Sequence, residues 1–216
     1  MTKTIKIKNI GKPVSDAAQV AAILDEANVK FEKIDTVNWD EFPYKPDVEF
    51  RAAHTGDALL INYRCTEEAV RAVAECDNGP VWEDSCVEFF VSFDGKKYYN
   101  VECNCVGTIL SACGPDRNER TAAPAEVLNG VKRYASLAGK LPKEGEGPVS
   151  WEVSLIIPVT TFFGSGLVTL SGVKAHCNFY KCGDKLPTPH FLSWNPIGVA
   201  SPDFHRPEYF GEIEFE

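Results

Sequence analysis

The sequence predicts an all-β fold, an antiparallel β-sandwich with one or two short peripheral helices, in a single domain spanning residues 1–216. Three observations predict it. Apolar and polar residues alternate with period two over many short runs. Clusters of Gly, Pro, Asn and Asp separate those runs. No run alternates with helical segments in the rhythm of a parallel sheet. A composition of 44% hydrophobic and 25% charged residues is that of a globular chain, and no linker, internal repeat or low-complexity segment divides it.

The N-terminal MTKTIKIKNI alternates charged with apolar residues. Ser15 then precedes DAAQVAAILDEA, which reads as an N-capped surface helix with Val20, Ile23, Leu24 and Ala27 on one face. Two prolines in FPYKPD exclude regular structure, and VEFRAAH and ALLINYRC follow as a hairpin around Thr55-Gly56-Asp57. Thr66, with Glu67 and Glu68 after it, reads as the start of a short helical segment through about Glu75. The Asn78-Gly79-Pro80 turn leads into VWEDSCVEFFVSF. There Val87, Phe89, Val91 and Phe93 take one phase, and Cys86, Glu88, Phe90 and Ser92 the other.

Asp94-Gly95 joins residues 86–93 to 98–106 as an antiparallel pair. In the second strand Tyr99, Val101, Cys103 and Cys105 point one way and Tyr98, Asn100, Glu102 and Asn104 the other. GPDRNERTAAPAE and LAGKLPKEGEGPV read as polar loops. In WEVSLIIP, Trp151, Val153, Leu155 and Ile157 alternate inward and Pro158 ends the strand. VKAHCNFYKC sets Val173, Ala175, Cys177 and Phe179 against Lys174, His176, Asn178 and Tyr180, and YFGEIEFE closes the chain with Ile213 and Phe215 inward.

A formal charge of −9, with 22 basic residues scattered among 31 acids, argues against nucleic acid as a partner. No apolar run approaches the roughly 20 residues of a membrane helix, so no membrane partner is expected. The N-terminus lacks a signal-peptide core, which points to the cytoplasm, or to the periplasm or secretion if a leader has been removed. The eight cysteines have no CxxC pair and read as free thiols; a zinc site from His176, Cys177 and Cys182 is the sharper alternative. No cofactor or metal is expected, with calcium left open at Glu83 and Asp84.

Four tryptophans divide by context. Trp151 shares a phase with aliphatics and belongs to the core, and Trp39 before a proline-rich turn fits either role. Trp82 and Trp194 stand in loops beside polar residues. Two aromatic planes flanking carboxylates and amides make a clamp for a pyranose, whose faces carry C–H groups and whose rim carries hydroxyls. Glu88 would supply charge-assisted hydrogen bonds there, with Asn100 and Glu102 on the neighbouring strand face. Glu83, Asp84 and Glu88 also suggest a glycosidase, but three acids within six residues do not face one another across a cleft. Arg206, in SPDFHRPEYFG, could donate two bonds to a ligand or pair with Glu208 and pin its loop. No Ser-His-Asp order, P-loop or dinucleotide fingerprint occurs.

VWEDSCVEFF, YYNVECNCVGTIL, NFYKCGDKLPTPHFLSWNPIG and PDFHRPEYFGEIEF, in that order, resemble the bacterial carbohydrate-binding module family 9-like proteins over most of residues 34–216. The resemblance implies a DOMON-like β-sandwich that binds the end of a glycan or a small sugar without catalysis, between two tryptophans. It implies Trp82 as the first wall, Glu88 as the carboxylate reading sugar hydroxyls, and Trp194 with Asn195 as the second wall. Where those modules carry a basic side chain on the following strand, this chain has Asn100, Glu102 and Asn104. Carbohydrate is therefore the expected partner. A glycoside hydrolase using Glu88 and a protein-interaction sandwich are the alternatives.

Overall fold

A computed structural model describes residues 2–141 and 147–216. The strands and helices run in the order β1 (Thr4–Asn9), α1 (Val20–Glu26), β2 (Glu32–Lys33), β3 (Thr36–Val37), β4 (Asp47–His54), β5 (Ala58–Glu67), β6 (Cys86–Ser92), β7 (Tyr98–Asn104), β8 (Ile109–Gly114), β9 (Thr121–Ala122), α2 (Ala125–Gly130), β10 (Lys132–Ala135), β11 (Val149–Pro158), β12 (Lys174–Cys182), β13 (Phe191–Ser193) and β14 (Gly211–Phe215). Two layers pack face to face. One has the order β10-β11-β5-β4, the other β14-β12-β6-β7-β8-β9, and β1 joins them by pairing with β14 over one half and β4 over the other.

Both pairings of β1 are parallel, so the sheet is mixed at that one place and antiparallel in its long ladders. The alternation in MTKTIKIKNI is thus a strand whose Ile7 is fully buried. The main core lies between the layers. Phe50, Ile61 and Val153 meet Phe89, Val101 and Phe179 there, and the Phe50 and Phe179 rings stack at 3.6 Å. Trp151, Val153, Leu155 and Ile157 all join it, as their phase requires.

Two local expectations change. The helix at α1 begins with a 3-10 turn capped by Asp16, whose Oδ1 accepts the Ala18 N–H at 3.0 Å, so Asp16 and not Ser15 is the cap. Thr66 and Glu67 end β5, and residues 68–75 form no helix. The cause is competition for backbone donors: Asp84 accepts the N–H groups of Val73 and Ala74 at 2.9 and 3.0 Å, and Ser85 Oγ accepts that of Arg71. The loop expected at LAGKLPKEGEGPV falls in part on residues 142–146, outside the described residues; the other polar segment holds the two-residue strand β9 and ends in the first turn of α2.

The outer face of the β6/β7/β12 layer is not a wet surface. Every residue of β6 and β7 is buried on both faces. A second, smaller core of Trp39, Phe90, Tyr98, Tyr180, Phe204 and Phe210 covers that face, with loop residues supplying the lid. Trp39 takes the core role, 5% exposed, its Nε1–H donating to Val199 O at 2.8 Å.

Candidate functional site

Where the second core thins out, near the start of β6 and the end of β12, a cavity of about 240 Å³ opens. Glu88 and Glu102 form its floor. They are register partners on β6 and β7 and each is 3% exposed, so antiparallel pairing puts the two carboxyls side by side. Trp82, 37% exposed, lines it together with Phe191, Phe204 and His205, and Arg117, Arg120, Asp184 and Asp203 contribute charge.

Each wall is fixed by backbone. Trp82 sits in a one-turn 3-10 helix after Pro80, and its carbonyl accepts the Asp184 N–H at 3.2 Å, tying the turn to the residues beyond β12. Phe204 stacks flat on Tyr180 at 4.2 Å, and its carbonyl accepts the Tyr180 hydroxyl at 3.1 Å. His205 shares a hydrogen bond of 2.9 Å with the Tyr98 hydroxyl through Nδ1. A larger groove, about 420 Å³, crosses the outer face of β5 and β11 between Arg64, Thr66, Ser150 and Glu152. Its one aromatic, Trp151, is 3% exposed and offers no face to a ligand.

The floor resists ionisation. Burial raises the Glu88 carboxyl well above the usual range, and the nearby Glu102 charge adds to it. Burial likewise raises Glu102 to about 7, against the pull of Arg120 and the Asn100 hydrogen bond. Asp184 is raised to about 6, mainly by burial, with Arg117 opposing. His205 is lowered to about 3, by burial first and then by Arg120 and Arg117, so its imidazole is neutral. Glu88 Oε1 accepts from Cys182 Sγ at 3.0 Å, and Glu102 Oε1 accepts from Asn100 Nδ2 at 2.9 Å. Glu102 Oε2 and Arg120 Nη1 are buried without a hydrogen-bond partner.

The residues expected to form the site divide accordingly. Trp82, Glu88 and Glu102 line the cavity. Asn100, fully buried, stands behind it and holds Glu102. Trp194 does not form a wall. It is 1% exposed in the main core, edge-on to Phe50 and Phe179 at 6.2 and 6.0 Å. Its backbone N–H continues the ladder beyond β13 by donating to Phe179 O at 2.8 Å, which turns the indole inward against Gly211. Asn195 also leaves the site: it accepts the Lys3 N–H at 2.8 Å and donates to Tyr209 O at 2.7 Å, latching the N-terminal strand to the last loop. Arg206 pairs with Glu208 at 2.7 Å and with Asp203 at 3.9 Å, the loop-pinning arrangement.

The other acids are structural. Asp84, 1% exposed, binds Val73, Ala74 and the Asn104 amide, and Glu83 pairs with Lys185 at 2.9 Å. His176 is exposed near one end of β12, and Cys182, which shares its face, lies six residues or about 20 Å along the strand, while Cys177 points to the opposite face; the three cannot share one zinc ion. Sequence reasoning missed Arg117, Arg120 and Phe204. The arginines come from GPDRNERT, where the only signal was two bases in a polar turn, and they bring positive charge to the slot from a loop instead of from the strand. Among the described residues no helix is long and apolar enough to cross a membrane.

The profile of carbohydrate-binding family 9 matches residues 18–215. A crystal structure of a Bacteroides uniformis protein proposed to bind carbohydrate is 48% identical, covers 100% of both chains and superposes with a TM-score of 0.96. A family 9 carbohydrate-binding module from Caldicellulosiruptor kristjanssonii in complex with glucose is similar in fold, with a TM-score of 0.62 at 14% identity over 99% of this chain and 96% of that one. The module from the same organism in complex with cellotriose gives 0.60 at 14% over 99% and 94%. No curated protein matches.

Proposed function

The chain belongs to carbohydrate-binding family 9, and from that premise we propose that it binds one terminal sugar ring in the slot beside Trp82, without catalysing a reaction. The observation that carries this is the partly exposed indole of Trp82 beside two buried carboxyls, Glu88 and Glu102, the second with an Oε2 that has no hydrogen-bond partner. A pyranose laid on the indole exposes its C–H face to the ring and turns its hydroxyls toward Glu88 and Glu102. Phe204, His205 and Phe191 take the part of the second wall that Trp194 cannot take. Arg120, with Nη1 open, is the donor to a ring or hydroxyl oxygen.

At about 240 Å³ the cavity is smaller than the roughly 300–1,000 Å³ of drug-sized ligand sites, which favours one ring over a chain. One stacked face contributes on the order of 1 kcal/mol and each net hydrogen bond about the same. Four or five such contacts give roughly −4 to −5 kcal/mol, a millimolar to sub-millimolar binder. Binding is favoured over hydrolysis because Glu88 and Glu102 lie side by side on one floor, whereas a glycosidase sets its acid and its nucleophile on opposite sides of the bond it cleaves.

The test is a titration of intrinsic tryptophan fluorescence with glucose, xylose and cellotriose. Saturable quenching is expected, and Trp82→Ala should weaken binding about five- to tenfold or more at unchanged thermal stability. Equal affinity in Trp82→Ala, or no response across a broad glycan panel, refutes the proposal.

A further inference from the structure

Three metal-ligating side chains meet at the floor of the slot. Cys86 and Glu88 stand two residues apart on β6, hence on one face, and Cys182 on β12 is the register partner of Cys86. The Sγ, carboxylate oxygen and Sγ atoms all lie within 4.8 Å of one another. Among the described residues this is the one group of three or more His, Cys, Asp or Glu side chains that converges in this way. A second observation points to a ligand at the same place. Glu102, 3% exposed and directly across from Glu88, lines the slot with an Oε2 that has no partner.

We infer that Cys86, Glu88 and Cys182 form a binding site for a thiophilic divalent cation of the zinc type, with a fourth coordination position facing the slot. Zinc bond lengths of roughly 2.0–2.3 Å place tetrahedral ligand atoms about 3.5–3.8 Å apart, so closing on an ion opens the 3.0 Å Glu88 Oε1–Cys182 Sγ pair slightly and draws in any donor pair that lies wider, none being more than 4.8 Å apart. Two sulfur donors select zinc, cadmium or similar ions over calcium and magnesium, which take oxygen. Cys182 and Glu88 line the cavity, while Cys86 lies fully buried behind them. Three protein ligands and one open position is the arrangement that leaves room for water, for Glu102 Oε2, or for a ligand hydroxyl.

The charge balances. Both thiols and the Glu88 carboxyl, whose ionisation burial opposes in the empty slot, give up their protons to water as the ion enters, so two thiolates and one carboxylate surround a 2+ ion and leave one net negative charge. The Arg120 guanidinium, lining the same slot with Nη1 unpartnered, offsets it. The inference rests on the three donors and does not require that a sugar binds.

The experiment uses the full chain, reduced and then freed of reductant under argon, titrated with Cd²⁺ and Zn²⁺. Retained metal is counted after dialysis, and the ultraviolet sulfur-to-cadmium charge-transfer band is followed. One ion per chain is expected, with Ca²⁺ failing to compete. Since outer partners of metal sites alone are worth roughly 10–100-fold, Cys86→Ser, Cys182→Ser and Glu88→Gln should each weaken affinity by at least about tenfold. Glu88→Gln keeps the side-chain shape and secures the test if a serine variant fails to fold. Cys76→Ser, at an exposed thiol away from the slot, should change nothing. No retained ion in the unsubstituted chain, unchanged affinity in Glu88→Gln, or uptake lost only in Cys76→Ser overturns the inference.

Discussion

Trp194→Ala separates the core from the slot more sharply than any other substitution. The indole is 1% exposed and set edge-on against the stacked Phe50–Phe179 pair, with Gly211 held free of a side chain because a Cβ there would stand 2.6 Å from the indole ring. Nothing nearby is free to collapse into the space, since both rings beside it are anchored in opposite layers. Removal therefore belongs at the full cost of a large buried aromatic, about 3–5 kcal/mol. For a chain of this length each kcal/mol moves the midpoint by roughly 2–4 °C, so Tm should fall by about 6–20 °C. Urea denaturation followed by circular dichroism measures it, alongside glucose titration of the still-folded protein at low temperature. Large destabilisation with sugar affinity within about twofold of the parent is the expected pair of results. Unchanged stability with abolished binding would mean that the indole stands in the slot after all, and the reasoning from burial would fail.

Two other outcomes follow from the buried acids. Glu102 is raised from an ordinary 4.5 to about 7, so the folded protein holds a proton that the unfolded chain has already lost across that interval. Its contribution is therefore most favourable below about pH 4.5 and declines as pH rises to 7; Glu102→Gln should flatten the fall in Tm over that range, and an identical pH profile in parent and variant would refute the assignment. Asp84→Ala strips the acceptors from the Val73 and Ala74 N–H groups and from Asn104 at one stroke, which should cost about 3 kcal/mol or more and speed hydrogen exchange at residues 73 and 74. A loss within about 0.5 kcal/mol, the range of ordinary surface changes, would count against that role.

The strands were legible in the sequence because period two is a local property. The phases of Phe89, Val101, Trp151, Cys177 and Ile213 are each set by neighbours two residues away, and the structure keeps them all in the main core. Trp194 was not legible for the same reason. A tryptophan followed by Asn195-Pro196 reads as a loop residue, and only the long-range bond from its N–H to Phe179 O, 15 residues back, turns the ring inward. The absent helix at 66–75 has the same origin, since the acceptors that capture its N–H groups lie at Asp84 and Ser85. Lys181 went unread although its phase alone points inward. It is fully buried between Glu67 at 2.9 Å and His190 at 2.7 Å, an ion pair joining the ends of β5 and β12 that no single run of sequence displays.

The slot itself arises from the way the outer face of the β6/β7/β12 layer is covered. Had that face been left to water, Glu88 and Glu102 would be two solvated surface acids with ordinary titration, as alternation alone suggests. The loops that carry Trp39, Phe204 and Phe210 instead cover it with aromatic rings as far as Tyr180 and Tyr98, and stop short of the two carboxyls. The acids are thereby taken out of bulk water, with Glu102 Oε2 left unpartnered, and the gap in the lid is lined by the aromatic side chains at its edge. This is the geometry on which the proposed sugar site rests: an aromatic edge at Trp82 for the C–H face of a ring and buried polar groups for its hydroxyls. Under the proposed reading, filling the gap with apolar side chains would remove the sugar's place without touching the main core, which is why the slot and the core can be tested separately.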